Sequence, residues 1–115
     1  MHALIIEDEA LIAMAIEDVL RECGCVSFDF ATSLDSALAA AALRCPDLIT
    51  ADVRLAPGCG IDAVEAICSV RAIPVVFITA TGGEARRRLP QPIVVQKPFT
   101  PAQIAGAVRL AIGAH

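Results

Sequence analysis

The sequence predicts an α/β fold in which one parallel sheet is covered by helices on both faces. Three observations predict it. Short apolar runs alternate with longer stretches of helical periodicity along the whole chain. Those runs are nearly unbroken by polar residues, as expected of strands buried on both sides. The length of 115 residues, 57% of them hydrophobic, suits one compact domain over residues 1–115. With 22 alanines and four aromatics, all Phe, the core has to be built from small aliphatic side chains.

Each element follows in order. Residues 3–6 are an apolar run of strand length. In residues 10–23, Leu11, Met14, Ala15, Val19 and Leu20 recur at helical spacing until Gly24 stops them. Residues 26–30 alternate apolar and polar as a second strand. Ser33 is placed to cap a helix reaching Leu43, which Pro46 closes. Residues 48–51 form the third strand with Asp52 at its carboxyl end. A loop with Pro57, Gly58 and Gly60 leads to a helix over 61–70. Residues 74–78 are the most apolar run and read as an interior strand, and 93–95 as the fifth. Thr100 caps the last helix, with Pro101 at its first position and Gln103 at its third. Only 17 residues separate Thr79 from Lys97, and they include Gly82, Gly83, Pro90 and Pro92. That leaves residues 84–89 for a short or irregular fourth helix beside a mobile loop. Right-handed crossovers through five such units give a doubly wound, flavodoxin-like sheet of order 2-1-3-4-5.

Composition removes several function classes. Thirteen acids against eight arginines and one lysine leave a formal charge of -4, which argues against a direct nucleic-acid binder. The longest uncharged stretch, residues 72–83, is too short to cross a bilayer. Acids at Glu7, Asp8 and Glu9 precede any apolar leader, so a soluble cytoplasmic protein without membrane contact is expected. The five cysteines make no CxxC pair and the two histidines sit at the chain ends, which disfavours zinc. Five buried, reduced thiols are expected instead. Arg86, Arg87 and Arg88 read as a solvated face. Neither GxGxxG nor a P-loop is present.

Open parallel sheets bind ligands beyond the carboxyl ends of their strands. Glu7 and Asp8 follow the first strand, Asp52 the third, Thr79 the fourth and Lys97 the fifth. Three carboxylates brought together repel one another unless a cation joins them. An all-oxygen donor set with no His or Cys nearby points to Mg2+ or Mn2+. Lys97 beside that site makes sense if a phosphoryl group binds the metal on one side and the ammonium on the other. The Thr79 hydroxyl would then serve another phosphoryl oxygen. Asp52, standing apart from the Glu7–Asp8 pair, is the natural nucleophile for an acyl phosphate.

Five pieces in sequence order carry a likeness: Ile5-Ile6-Glu7-Asp8, Asp52 after Leu48-Ile49-Thr50-Ala51, Gly60 eight residues on, Phe77-Ile78-Thr79-Ala80, and Lys97-Pro98-Phe99. Over essentially the whole chain the sequence resembles the receiver domain of two-component response regulators, which takes phosphate from a histidine kinase onto an aspartate. The resemblance implies Asp52 as phosphoacceptor, with Mg2+ held by Glu7, Asp8, Asp52 and the backbone carbonyl of Arg54. It implies Thr79 as switch hydroxyl, Lys97 as phosphate-binding lysine and a cis Lys97–Pro98 bond. It also implies a sensor histidine kinase or histidine phosphotransfer protein as donor and an output protein that the sequence does not name. Arg54 and Thr81 would flank the phosphoryl group and tune its lifetime.

The chain departs from the family pattern in three places. Val94 stands where a Tyr or Phe usually couples phosphorylation to the partner surface. The shortened fourth segment resembles that of a subgroup of single-domain receivers. Ala56 stands where a proline is common, with Pro57 one place later. Two rivals remain in view. A phosphohydrolase with an aspartyl nucleophile needs a second acid where Arg54 stands. A degenerate receiver, acting as a phosphorylation-independent interaction module, is favoured only by Val94.

Overall fold

Residues 1–55 and 57–113 are described by the structure, a computed structural model. Among them the chain alternates β1 (His2–Ile6), α1 (Ala10–Glu22), β2 (Ser27–Ala31), α2 (Leu34–Leu43), β3 (Leu48–Ala51), α3 (Gly60–Cys68), β4 (Val75–Thr79), α4 (Gly82–Arg88), β5 (Val94–Gln96) and α5 (Pro101–Gly113). All four strand pairings are parallel, in the order β2-β1-β3-β4-β5. This is the doubly wound arrangement that the apolar runs predict.

Strand periodicity sorts the side chains onto two faces. Ala3, Ile5, Leu48, Val76 and Ile78 pack under α1 and α5 with Ile16, Leu20, Ile104 and Val108. Leu4, Ile6, Ile49, Ala51 and Phe77 pack under α2, α3 and α4 with Ala37, Ile61, Val64 and Ala85. At about 1.5–3 kcal/mol for each fully buried aliphatic side chain, these two layers are the main force holding the fold.

The capping signals are realised. The Ser33 hydroxyl accepts the Ser36 amide at 3.1 Å, and the Ser36 hydroxyl accepts the Ser33 amide at 3.0 Å. Thr100 and Gln103 make the same reciprocal pair at 3.2 and 2.8 Å.

Several boundaries differ from expectation. The third helix stops at Cys68, not residue 70, because the Ser69 hydroxyl donates to the Ala66 carbonyl at 2.7 Å and closes the last turn. The fourth helix is short, seven residues, yet begins two residues early at Gly82. The second, fourth and fifth strands each sit one residue later than their apolar runs. In the fourth this follows from Pro74, which has no N–H to give and contributes only its carbonyl, to Ile49.

Of the expected buried thiols only Cys25 is fully enclosed; Cys23, Cys59 and Cys68 are half-buried and Cys45 is exposed. Cys45 follows α2 in the turn before Pro46, where its sulfur meets the Arg71 guanidinium at 3.6 Å. All five are free. Arg86, Arg87 and Arg88 are exposed, as expected of a solvated face, and Arg88 adds surface bridges to Asp62 and Glu65 of α3 at 2.6 and 2.7 Å. Ala56 lies outside the described residues, as does His115. Among the described residues no helix is long and apolar enough to cross a membrane.

Candidate functional site

Strand register brings the site together. Ile6 pairs with Ala51, so the residues that follow, Glu7 and Asp52, leave adjacent strand ends side by side. The Asp52 amide donates to the Ile6 carbonyl at 2.9 Å, and the Glu7 amide to Ala31 at 2.9 Å. On the other side Thr79 pairs with Gln96, and the Lys97 amide donates to the Thr79 carbonyl at 3.0 Å. Residues 90 positions apart in the chain thereby meet.

Glu7 is buried at 3% exposure and Asp52 at 9%. The Lys97 ammonium lies between them, donating to Glu7 Oε1 at 2.7 Å and Asp52 Oδ2 at 2.8 Å. Glu7 Oε2 is held in turn by the Glu9 amide at 3.1 Å. Asp8, exposed, completes a group with Glu7 and Asp52 in which one carboxylate oxygen from each lies within 4.8 Å of the others. Burial pushes the Glu7 carboxyl above its usual value, against the hydrogen bonds from Lys97 and the Glu9 amide. Burial also works to lower the Lys97 ammonium, but its hydrogen bonds to Asp52 and Glu7 outweigh that and raise it.

Lys97 therefore bridges two of the three carboxylates, and the group as a whole keeps an excess of negative charge. A second, divalent cation would balance the group, and an oxygen-only set at this spacing fits Mg2+.

Asp52 is positioned from behind by Gly60. A Cβ at Gly60 would stand 1.7 Å from the Asp52 carbonyl oxygen, so only glycine lets the start of α3 press against this backbone. The Gly60 amide donates to the Val53 carbonyl at 2.8 Å and closes the loop. Arg54 is exposed and pairs with Cys59 as an antiparallel bridge within the same loop.

Thr79 is buried at the end of β4. Its hydroxyl accepts the Thr81 amide at 3.1 Å and lies 3.2 Å from the Thr81 hydroxyl. The Lys97–Pro98 bond is cis. The contacts bring together Glu7, Asp8, Asp52 and Lys97; Val94 is half-buried among the side chains beneath α4. Sequence reasoning missed Gln96, whose side-chain amide donates to the Ala80 carbonyl at 2.9 Å and ties the β4–α4 turn to β5. A lone Gln beside a lysine carries no signal for that contact, since it exists only through the β4–β5 register.

Comparison with known proteins agrees on one family. The model of the response regulator receiver domain matches residues 3–109. The transcriptional regulatory protein PdtaR of Mycobacterium tuberculosis is 36% identical over 96% of this chain and 56% of its own length. The phyllosphere-induced regulator PhyR of Methylorubrum extorquens is 37% identical over 95% of this chain and 42% of its own. Among solved structures, the PhyR receiver domain of Erythrobacter litoralis superposes with a TM-score of 0.90 at 37% identity, covering 97% of this chain and 89% of that one. The chain thus spans about half the length of the curated relatives it matches.

Proposed function

The chain belongs to the response regulator receiver family of two-component signalling, and from that membership we propose that it is a Mg2+-dependent phosphoacceptor. The observation that carries the reading is the Lys97 ammonium held between Glu7 and Asp52 at 2.7 and 2.8 Å. It fixes the Asp52 carboxylate at the mouth of the site and keeps a positive charge where a phosphoryl group would arrive.

In this reading an oxygen of Asp52 attacks the phosphorus of a phosphohistidine on a sensor kinase or phosphotransfer protein. The new O–P bond forms as the P–N bond breaks, and the imidazole leaves with the electron pair. Glu7, Asp8, Asp52 and the Arg54 carbonyl would hold the metal. Mg2+, when bound, supplies charge neutralisation to the phosphoryl oxygens. Lys97 gives up its bond to Asp52 Oδ2 to serve a phosphoryl oxygen, and Thr79 donates its hydroxyl proton to another. No separate substrate is turned over, so this is a switch that assists its own phosphorylation and dephosphorylation. The same reading places the protein in the cytoplasm, with output left to a partner protein or to another part of a longer chain.

Incubation with acetyl phosphate and Mg2+, followed by intact mass, tests it. One phosphoryl adduct is expected on the wild type and none on Asp52→Asn. Absence of an adduct with acetyl phosphate and with phosphoramidate would overturn the proposal in favour of a phosphorylation-independent interaction module, the reading that Val94 favours.

A further inference from the structure

α2 is a helix without a polar face. Eight of its ten residues are Leu or Ala, and the other two, Asp35 and Ser36, stand together in the first turn. A helix that is apolar all round is expected to be covered all round; here Ala37 alone is fully buried. On the uncovered side Leu38 and Ala42 of α2, with Ala66, Ile67 and Val70 from α3 and the turn after it, line a groove of about 290 Å3. At its carboxyl end Leu43 is 91% exposed and Val70 92%. We propose that a second copy of the chain covers this face, in a two-fold dimer with the α2 helices antiparallel.

The charges at the ends of the groove select this occupant and its orientation. Asp35, exposed, stands at the amino end of α2. Arg71, exposed, stands at the other end, its guanidinium 3.6 Å from the sulfur of Cys45, and Arg44 is the C-cap residue of the same helix. The neighbouring acids are engaged elsewhere: Asp62 and Glu65 bridge to Arg88, and Asp47 accepts the His2 amide at 2.8 Å. The face therefore runs acidic, apolar, basic along a helix about 15 Å long.

Such a pattern is complementary to itself when turned end for end, as an isologous interface requires. A two-fold axis through its middle sets Asp35 of each copy against Arg71 of the other and closes the apolar residues between them. A parallel arrangement would oppose like charges at both ends. Two short helices cover less than the about 1,600 Å2 of a standard interface, so the dimer is a weak one, populated in concentrated solution. Because the groove is built from α2, α3 and the turns after them, its pairing does not depend on Asp52 taking a phosphoryl group.

Sedimentation equilibrium from micromolar to millimolar protein, without Mg2+ or phosphodonor, tests the proposal. The wild type is expected to show a reversible monomer–dimer equilibrium. Asp35→Arg and Arg71→Asp each oppose like charges at both ends of the interface, and each is expected to raise the dissociation constant at least severalfold. Both positions are exposed, so the circular dichroism of the wild type is expected of each; the milder Asp35→Asn and Arg71→Gln are expected to act in the same direction. Mixed in equal amounts, Asp35→Arg and Arg71→Asp present opposite charges to each other at both ends and are expected to pair as tightly as the wild type. The double variant, in which each contact is restored with its signs exchanged, is expected to dimerise with itself. A wild type that stays monomeric to millimolar concentration would overturn the proposal and give the face to a different protein or another segment. A dimer indifferent to either reversal, or two variants that stay apart on mixing, would overturn the antiparallel α2–α3 interface.

Discussion

Two residues control how Asp52 is presented, and each makes a separable prediction. Gly60 contacts the Asp52 backbone from below, where neither side can yield as a flexible side chain would. Gly60→Ala should cost about 1–3 kcal/mol or more through overpacking. Because the displaced carbonyl is that of Asp52, adduct yield should fall even in protein that remains folded; wild-type thermal stability together with wild-type yield would refute this. Lys97 works from above. Lys97→Ala leaves two buried carboxylates without their shared donor, a loss of about 1–3 kcal/mol in urea unfolding without metal. Titrating Mg2+ should stabilise both proteins by mass action and narrow that gap, since removing the ammonium takes away a competing positive charge and tightens binding of the metal; stabilities independent of Mg2+ in both proteins would mean that no metal binds among these oxygens. Glu7, Asp8, Asp52 and Lys97 were legible in the sequence because parallel strands deliver their carboxyl ends to one edge. The partner of the Thr79 hydroxyl was not, because a turn of two residues decides it. Nor was the burial of His2, read only as a chain-end residue. Its ring sits between Ser27 and Asp29 at 2.8 Å each, contacts that exist only through the β1–β2 pairing.

Elements were legible where a local signal sets their limits and illegible where packing does. Ser33 and Thr100 announce α2 and α5 through side chains that bond their own helix, and both starts stand where the sequence puts them. Ser33→Ala should therefore cost about 1 kcal/mol, read as a lower urea midpoint with unchanged slope. A change well below that would mean that Ser36 alone holds the turn. The fourth helix is the opposite case. Gly82 and Gly83 are poor helix residues, so propensity starts the segment later than the structure does. What overrides propensity is contact: Gly82 on Val94 at one end, Arg88 on Asp62 and Glu65 at the other. Neither contact has a local pattern. Arg88→Ala should then raise hydrogen exchange of the α4 amides while leaving β4 protected, because exposed bridges contribute little to global stability. Exchange that rises equally in β4 would show that α4 does not open as a separate unit.

At the scale of the whole molecule, the sheet divides two cores, and each contains a thiol that reports on it. Cys25 belongs to the layer under α1 and α5, and Cys68 packs against the layer under α2, α3 and α4. Burial pushes both thiols above 9.0; for Cys68 this prevails over its hydrogen bond to the Ile73 carbonyl, and for Cys25 over the attraction of the N-terminal ammonium. The sign of the linkage follows. A thiol whose pKa is raised on folding keeps its proton in the native state at a pH where the unfolded chain has lost it. Its contribution to stability is complete below the unfolded value and disappears as pH rises through the folded one. Stability should consequently fall from about pH 9 upward, measured by urea midpoints at several alkaline pH values. Cys25→Ala and Cys68→Ala each leave a small cavity, so their stabilities at neutral pH are not the comparison to make. The slope against pH is, and each substitution should flatten it. If the two halves of the fold unfold together, the two flattenings add. A slope unchanged by Cys25→Ala but flattened by Cys68→Ala would mean that the α1–α5 layer admits water before the sheet comes apart, which separates the two faces of the molecule into independently opening units.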